Sequence, residues 1–409
     1  MPQDLSNTQL TEIASKFGTP LYVYHAEKIA AQYDKLKSAF AGQDVVFFYA
    51  SKALTNISIL KYIRSLGANV DCSSVNEVKL ALHAGFVPSQ ILYTSNGIDF
   101  SEIIEAKELG VHINIDSLSN LEKFGKKYGH DYPIGLRLRP NILAGGNLKI
   151  STGHDKSKFG IPVEQVNEVI DLVKQYEMHI NGLHLHTGSE IKDVEVFAKG
   201  IDVLLSLVSQ FNELEFLDLG GGFKVPYRPG DHETDMPLLG ETLQQKLGKY
   251  ENAGGKHLQV WFEPGKFLVS DAGYLVTQVN VIKETEATTF AGVNSGFNHL
   301  IRPMFYDAYH HIENISNPDA PLHEYTVVGN ICETDTFAWN RELPQVREKD
   351  FLVFRNAGAY GFEMASNFNS RVRPAEVMVR DGEAYLIRKR ERFEDLLKNQ
   401  VLNDQITIS

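Results

Sequence analysis

The sequence predicts a TIM-type (β/α)8 barrel followed by a C-terminal antiparallel β domain, an α/β architecture that rests on three observations. Eight short runs rich in branched and aromatic residues recur between residues 45 and 263; segments with helical spacing and good helix formers separate them; and beyond residue 271 strand-like runs with turn signals take over. Regular alternation of strand and helix is the pattern of a parallel barrel.

The expected barrel strands are VVFFYAS (45–51), ANVDCS (68–73), ILYTSN (91–96), HINIDS (112–117), IGLRLR (134–139), GLHLHTG (182–188), FLDLGGG (216–222) and LQVWFE (258–263). Between them lie SVNEVKLALHAGF, SEIIEAKELG and VEQVNEVIDLVKQYEM, which carry apolar residues at helical spacing. The later strands are expected in GYLVTQVNVIKET (273–285), TTFAGVNSGF, EYTVVGNI, DFLVFRNAG and EVMVRDGEAYLIRKR. TPLYVYH (19–25) is also strand-like but precedes the first barrel unit. This allots residues 1–25 to a segment pairing with the β domain, 26–270 to the barrel and 271–409 to the β domain.

Composition narrows the function classes. With 43% hydrophobic and 22% charged residues in 409, the chain reads as globular and large enough for an enzyme of two domains. A formal net charge of -12 argues against nucleic acid, whose phosphates require many Lys and Arg. Two cysteines, Cys72 and Cys332, are too few for a disulfide framework and fit a reducing compartment, with the cytoplasm as the expected location. The opening MPQDLSNTQLTEIASKFG lacks the basic and apolar regions of a secretory signal, and no run is apolar enough to span a bilayer, so no membrane partner is expected.

Barrel chemistry gathers where the strands end at their C-terminal tips. Those tips carry Lys52, Asp71, Asn96, Asp116, Arg139, His186, the run Gly220, Gly221 and Gly222, and Glu263. Bland strands would end in turn residues alone; an inward Lys, Asp, His and Glu on one rim points to a site. Three glycines could be no more than a tight turn, but at the end of strand seven they sit where barrels bind phosphate, with Gly265 of EPGK beside them.

Most lysines are solvated, and Lys52 could be one of them. After VVFFYAS, however, its amine is expected in a mostly apolar mouth, where desolvation favours the neutral nucleophile that condenses with an aldehyde. An aldehyde and a phosphate together are what pyridoxal 5'-phosphate supplies. Glu263 then pairs with the pyridine nitrogen and keeps it protonated. His184 and His186 lie two apart on one face and could be a metal pair, but no other strand tip adds a histidine, so no metal is expected. A flat imidazole stacked on a cofactor ring suits His186, and His184 reads as a hydrogen-bonded core residue. By spacing alone, Cys332 reads as a buried apolar residue, Glu333 and Asp335 as surface acids, and the pairs Arg302/Tyr306 and Asn356/Tyr360 as structural.

In this order, YASKA, DCSSVNE, STGHDKSKFGI, HLHTGSE, DLGGGF, FEPGKF, GFNHLIRPMFYDAYHHI, NICETD and NAGAYGFEMASNFNSRVRPAEV resemble the pyridoxal-phosphate-dependent diaminopimelate decarboxylases of the alanine racemase-like, fold type III class. Each motif is modest, but together they cover nearly the whole chain. The resemblance implies decarboxylation of meso-2,6-diaminopimelate at its D centre to L-lysine, the last step of lysine biosynthesis. It implies Lys52 as the lysine bonded to the cofactor, His186 stacked on its ring, Ser189 with Gly221, Gly222 and Gly265 as the phosphate cradle, Glu263 at the pyridine nitrogen, and Tyr360 on the phosphate. Asp71 and Lys266 join the cofactor-binding set. Arg302, Tyr306 and Glu333, with Lys266 and Tyr360, would bind substrate, and Cys332 would donate a proton near Cα. In the family that cysteine comes from a second subunit, which implies a homodimer with shared active sites.

The chain departs from the family pattern at three places. The usual EPGR is EPGK, so Lys266 replaces a planar fork by a point donor. Asn147 stands where many relatives have histidine, and Phe368 replaces a common tyrosine. The competing readings are a related decarboxylase acting on ornithine, lysine or carboxynorspermidine, and a catalytically silent regulator. Ornithine-type relatives typically carry aspartate after the cysteine, whereas this chain has Glu333.

Overall fold

The computed structural model describes residues 2–142 and 157–403. Asn147 and the STGHDK part of one quoted motif (151–156) fall outside them. Contacts divide the chain into two compact units, Lys28–Ser270 and Met1–Glu27 with Asp271–Ser409.

In chain order the first unit contains β2 (Val45–Ala50), β3 (Asn69–Cys72), β4 (Ile91–Thr94), β5 (His112–Ile115), β6 (Ile134–Arg139), the two-residue β7 (Ile161–Pro162), β8 (Ile180–Leu185), β9 (Phe216–Asp218) and β10 (Gln259–Phe262); β1 (Leu21–His25) belongs to the other unit. Every pairing in it is parallel, in the order β5-β4-β3-β2-β10-β9-β8-β6, and β5–β6 closes the ring; β7 only extends β6. The eight expected strands are therefore the eight staves of a closed barrel. Phe48, Leu92, Phe216 and Trp261 form an interior cluster, with the last two rings stacked at 3.5 Å and 6°.

Side-chain caps fix where the first four barrel strands hand over to their helices. Asn56, Ser74, Asp99 and Ser117 accept backbone N–H groups of Ser58, Glu77, Ser101 and Asn120, and so start the helices Ile57–Ser65, Val75–His83, Phe100–Glu108 and Leu118–Tyr128. The loops between strand and cap stay short, which holds the strand tips close to one rim.

The second unit adds β11 (Gly273–Glu284), β12 (Thr289–Val293), β13 (Ile312–Asn314), β14 (Leu322–Val328), β15 (Thr336–Pro344), β16 (Phe351–Phe354), β17 (Ala375–Arg380) and β18 (Glu383–Arg388). Its sheet is mixed where the sequence suggested antiparallel: β1–β17 and β12–β14 pair in parallel. The cause of the first is connectivity. β1 arrives from the N-terminus without a hairpin, so nothing obliges it to run against both β11 and β17. Its residues Leu21 and Val23 pack with Tyr274, Val276, Val353 and Val377 in a buried cluster. A helix over Asn7–Phe17, started by a Ser6/Gln9 capping box, precedes it. Strands β13 and β15 were not expected; β13 has three residues, and β15 breaks its alternation at Asn340-Arg341-Glu342. Among the described residues no helix is long and apolar enough to cross a membrane.

Candidate active site

Strand β2 ends at Ala50, whose N–H donates to Pro264 O at 3.1 Å, and the chain then makes one 3-10 turn, Ser51–Ala53. The Ser51 hydroxyl donates to Asp71 O at 2.9 Å, so the tip of β2 is tied to the tips of both β10 and β3. Lys52 on that turn is 42% exposed, with Nζ 3.6 Å from Asp71 Oδ2. The expectation of an apolar mouth is corrected here. The flanking residues are apolar, but the groups around the amine come from other strand tips and are ionisable.

Those groups form a buried set. Asp71, His184, Asp218 and Glu263 are all buried, and Glu263 Oε1 lies 3.3 Å from His184 Nε2. Asp218 Oδ1 accepts the Gly220 N–H at 2.8 Å. Burial, reinforced by the Glu263 charge, pushes the carboxyls of Asp71 and Asp218 well above the usual carboxylate range. For Glu263, burial works the other way from its neighbours. The His184 ring, then Lys52 and His186, outweigh burial and hold its carboxyl well below the usual range. Burial thus favours the neutral form of Asp71 and Asp218 and leaves Glu263 the most readily ionised carboxyl of the three. Among the described residues its Oε1 makes no hydrogen bond, and neither does Asp71 Oδ1 or either nitrogen of His184. An ionised buried carboxylate with an unused acceptor oxygen fits a protonated pyridine nitrogen. His184, Asp218 and Glu263 also hold ligand atoms within 4.8 Å of one another, so the partners that His184 lacks among the histidines are carboxylates.

His186 accepts the Gly221 N–H at Nδ1, 3.1 Å away, which leaves the ring proton on Nε2. Burial, and after it the Arg137 guanidinium, push its pKa down to about 3. A lowered imidazole pKa means the ring is uncharged at every pH above it. The His186 ring resonances in selectively labelled protein are expected not to shift between pH 5 and 8, where an ordinary imidazole titrates near 6.5. A titration midpoint near 6.5 would contradict this.

Loops after β8, β9 and β10 are packed without room for side chains. A Cβ on Gly221 would lie 2.1 Å from Glu263 O, and one on Gly222 would lie 2.0 Å from Gly188 O. Gly222 also has φ +98°, so it is constrained twice. Ile191 N–H donates to Gly222 O at 2.9 Å, which joins the loop carrying Ser189 to the glycine run. Gly265 faces Ala50, where a Cβ would meet its methyl at 3.1 Å. Bare backbone from three adjacent loops is a cradle that suits a phosphate. Gly222→Ala is expected to lower stability by about 2–4 kcal/mol and to weaken cofactor binding with it, read by thermal melting and cofactor titration.

The structure therefore brings Lys52, Asp71, His186, Ser189, Gly221, Gly222, Glu263, Gly265 and Lys266 into the tips of one barrel. The remaining candidates belong to the other unit. Arg302 is buried at the start of a short helix that ends at Tyr306, and Tyr360 adopts φ +56°. Cys332 is exposed, contrary to the usual fate of a free cysteine; its N–H donates to Asn369 Oδ1 at 2.7 Å, and Glu333 beside it is exposed too. Asp335, expected on the surface, is buried. Its carboxylate accepts N–H groups of Phe297 and Ile331 at 2.6 and 2.9 Å, and burial pushes its pKa up to about 6. It clasps the loop that presents Cys332 and Glu333.

Sequence reasoning missed Asp218 and Arg137. Arg137 pairs in register with His184, and His184 with Asp218, so the three form one polar layer across β6, β8 and β9. The signal was present as charged residues at alternate positions of otherwise apolar strands.

A family model for the pyridoxal-binding domain of pyridoxal-dependent decarboxylases matches residues 26–270. Methanothermobacter thermautotrophicus diaminopimelate decarboxylase is 39% identical, over 97% of this chain and 95% of its own length. The crystal structure of the Helicobacter pylori enzyme of that name complexed with L-lysine superposes with a TM-score of 0.87 at 32% identity, covering 95% of this chain and 98% of the other. The M. jannaschii enzyme in co-complex with L-lysine gives 0.89 at 32% identity, over 97% and 95%. The chain belongs to the diaminopimelate decarboxylases, a family of pyridoxal-dependent decarboxylases.

Proposed function

We propose that this chain removes carbon dioxide from the D centre of meso-2,6-diaminopimelate, leaving L-lysine, with pyridoxal 5'-phosphate held in the barrel mouth. The observation that carries the reading is the Glu263 carboxylate, held below its usual range by its neighbours and buried in the same rim as Lys52 and the side-chain-free cradle. Relatives of the same name crystallised with L-lysine support it.

When bound, the cofactor supplies an aldehyde for the amine and a ring that accepts the electron pair left by the departing carboxylate. Glu263 would hold the proton on the ring nitrogen. His186, neutral and fixed by Gly221, offers a flat face for stacking without competing for charge. Gly221, Gly222, Gly265 and Ser189 would hold the phosphate, with Tyr360 as the family resemblance implies. Lys52 offers the amine and moves a proton, with Asp71 beside it. Arg302 pairs with the substrate's distal carboxylate, Glu333 with its ammonium and Tyr306 alongside them, so that the D end faces the ring. Cys332 gives a proton to Cα.

The exposed Cys332 and Glu333 are suited to reaching a barrel of a second copy, which supports a homodimer with shared sites. A free exposed thiol also fits the reducing cytoplasm.

Supplying the loaded protein separately with meso-diaminopimelate, ornithine, lysine and carboxynorspermidine tests the reading by carbon dioxide release. Diaminopimelate is expected to exceed the others by about thirtyfold or more, since a substrate without the distal carboxylate forgoes its charge-assisted pairing with Arg302, about 2 kcal/mol. Equal or better turnover of ornithine would overturn the assignment, and no release from any substrate would leave the regulator reading.

A further inference from the structure

We infer that Glu190 is the centre of a charged clasp binding the three cradle loops together, and that Lys266 serves this clasp instead of gripping substrate. The inference rests on reading those loops as the phosphate cradle. Glu190 directly follows Ser189 in the loop after β8, and it adopts φ +63°. Its Oε1 pairs with Lys266 Nζ, and its Oε2 lies 3.3 Å from Lys224 Nζ. Lys266 is the residue after Gly265, and Lys224 stands two beyond Gly222. One carboxylate therefore holds the loops after β8, β9 and β10 at once.

The clasp is closed on its other side. Lys224 Nζ lies 3.1 Å from Asp231 Oδ2, which also accepts the Tyr227 N–H at 3.2 Å. The Thr234 hydroxyl donates to Ile191 O at 2.6 Å and accepts the Lys224 N–H at 2.7 Å. Lys266 Nζ sits over the Tyr227 ring, 5.7 Å from its centroid, and the Tyr227 and Ser270 hydroxyls are 2.6 Å apart. Two lysines and two carboxylates balance, and Lys266 is buried while Glu190, Lys224 and Asp231 are half-buried.

In that setting Lys266 is a poor anchor for a substrate carboxylate. An arginine there would offer five donors in a fork and could hold Glu190 and a second carboxylate together; an ammonium is a compact point charge. Substrate reaching Lys266 would displace Glu190 and strand it beside a half-occupied Lys224. The lysine of EPGK and the glutamate of HTGSE thus form one device, whose output is the shape of the phosphate site.

The test uses Glu190→Gln and Lys266→Met, with Lys266→Arg as the conservative control and circular dichroism to confirm folding. Each of the first two is expected to raise the pyridoxal phosphate dissociation constant roughly tenfold or more and to shift the 31P resonance of the bound phosphate, with KM for diaminopimelate changed by less than about twofold. Lys266→Arg is expected to keep wild-type cofactor affinity, and the double variant to bind cofactor no worse than the weaker single one. Unchanged cofactor affinity in Lys266→Met with a KM raised about tenfold would make Lys266 a substrate anchor and overturn the inference. So would a Glu190→Gln protein with the wild-type 31P signal and affinity. Failure of the cradle reading itself looks different: wild-type protein would then bind pyridoxal as tightly as its phosphate.

Discussion

Lys52→Ala protein is expected to fold normally and to lose carbon dioxide release by on the order of 10,000-fold. The fold should survive because the side chain is 42% exposed and burial favours the neutral form of its neighbour Asp71. Activity should not survive, because no other amine among the described tips can take its place. Lys266 and Lys224, in the loops after β10 and β9, are committed to Glu190. A primary alkylamine added to the assay is expected to restore part of the rate, which would separate a missing amine from a damaged fold.

The second large effect is expected at Glu263. Glu263→Gln keeps the volume but removes the carboxylate that its neighbours hold below the usual range, and kcat should fall on the order of 100- to 1,000-fold. Cofactor should still bind, since the cradle and Lys52 are intact. The sign of the electrostatic side effect is fixed: without the Glu263 charge, the carboxyls of Asp71 and Asp218 move down from their raised positions, while burial, the larger cause, continues to hold them up. Retained kcat in Glu263→Gln, with stoichiometric cofactor, would mean that the ring nitrogen needs no carboxylate.

The barrel was legible because each stave is a short apolar run that ends in a polar tip, a pattern local enough to be read from neighbours in sequence. The edge strands β13 and β15 were not, because three residues and a broken alternation carry no period. The setting of Lys52 illustrates the limit most clearly. Its own neighbours, VVFFYAS, are apolar and suggested a desolvated amine, yet its surroundings are built by Asp71, His184, His186 and Glu263 from other strands. Asp335 misled in the opposite direction: NICETD reads as a polar loop, and only the fold reveals that one carboxylate is turned inward to hold that loop's backbone. Arg302, Tyr306, Cys332, Glu333 and Tyr360 were legible only by family resemblance, since their spacing fits structural residues equally well. Glu190, which commits Lys266, gave no signal at all; a glutamate in a loop is ordinarily solvent-exposed.

The central claim is that Lys52 is the amine at which this barrel holds its cofactor. Borohydride reduction of the pyridoxal-phosphate-loaded protein, followed by peptide mass spectrometry, measures that directly. A single stoichiometric adduct on the peptide YASKALTN is the predicted result; no adduct, or one on another lysine with Lys52 unmodified, would contradict the account.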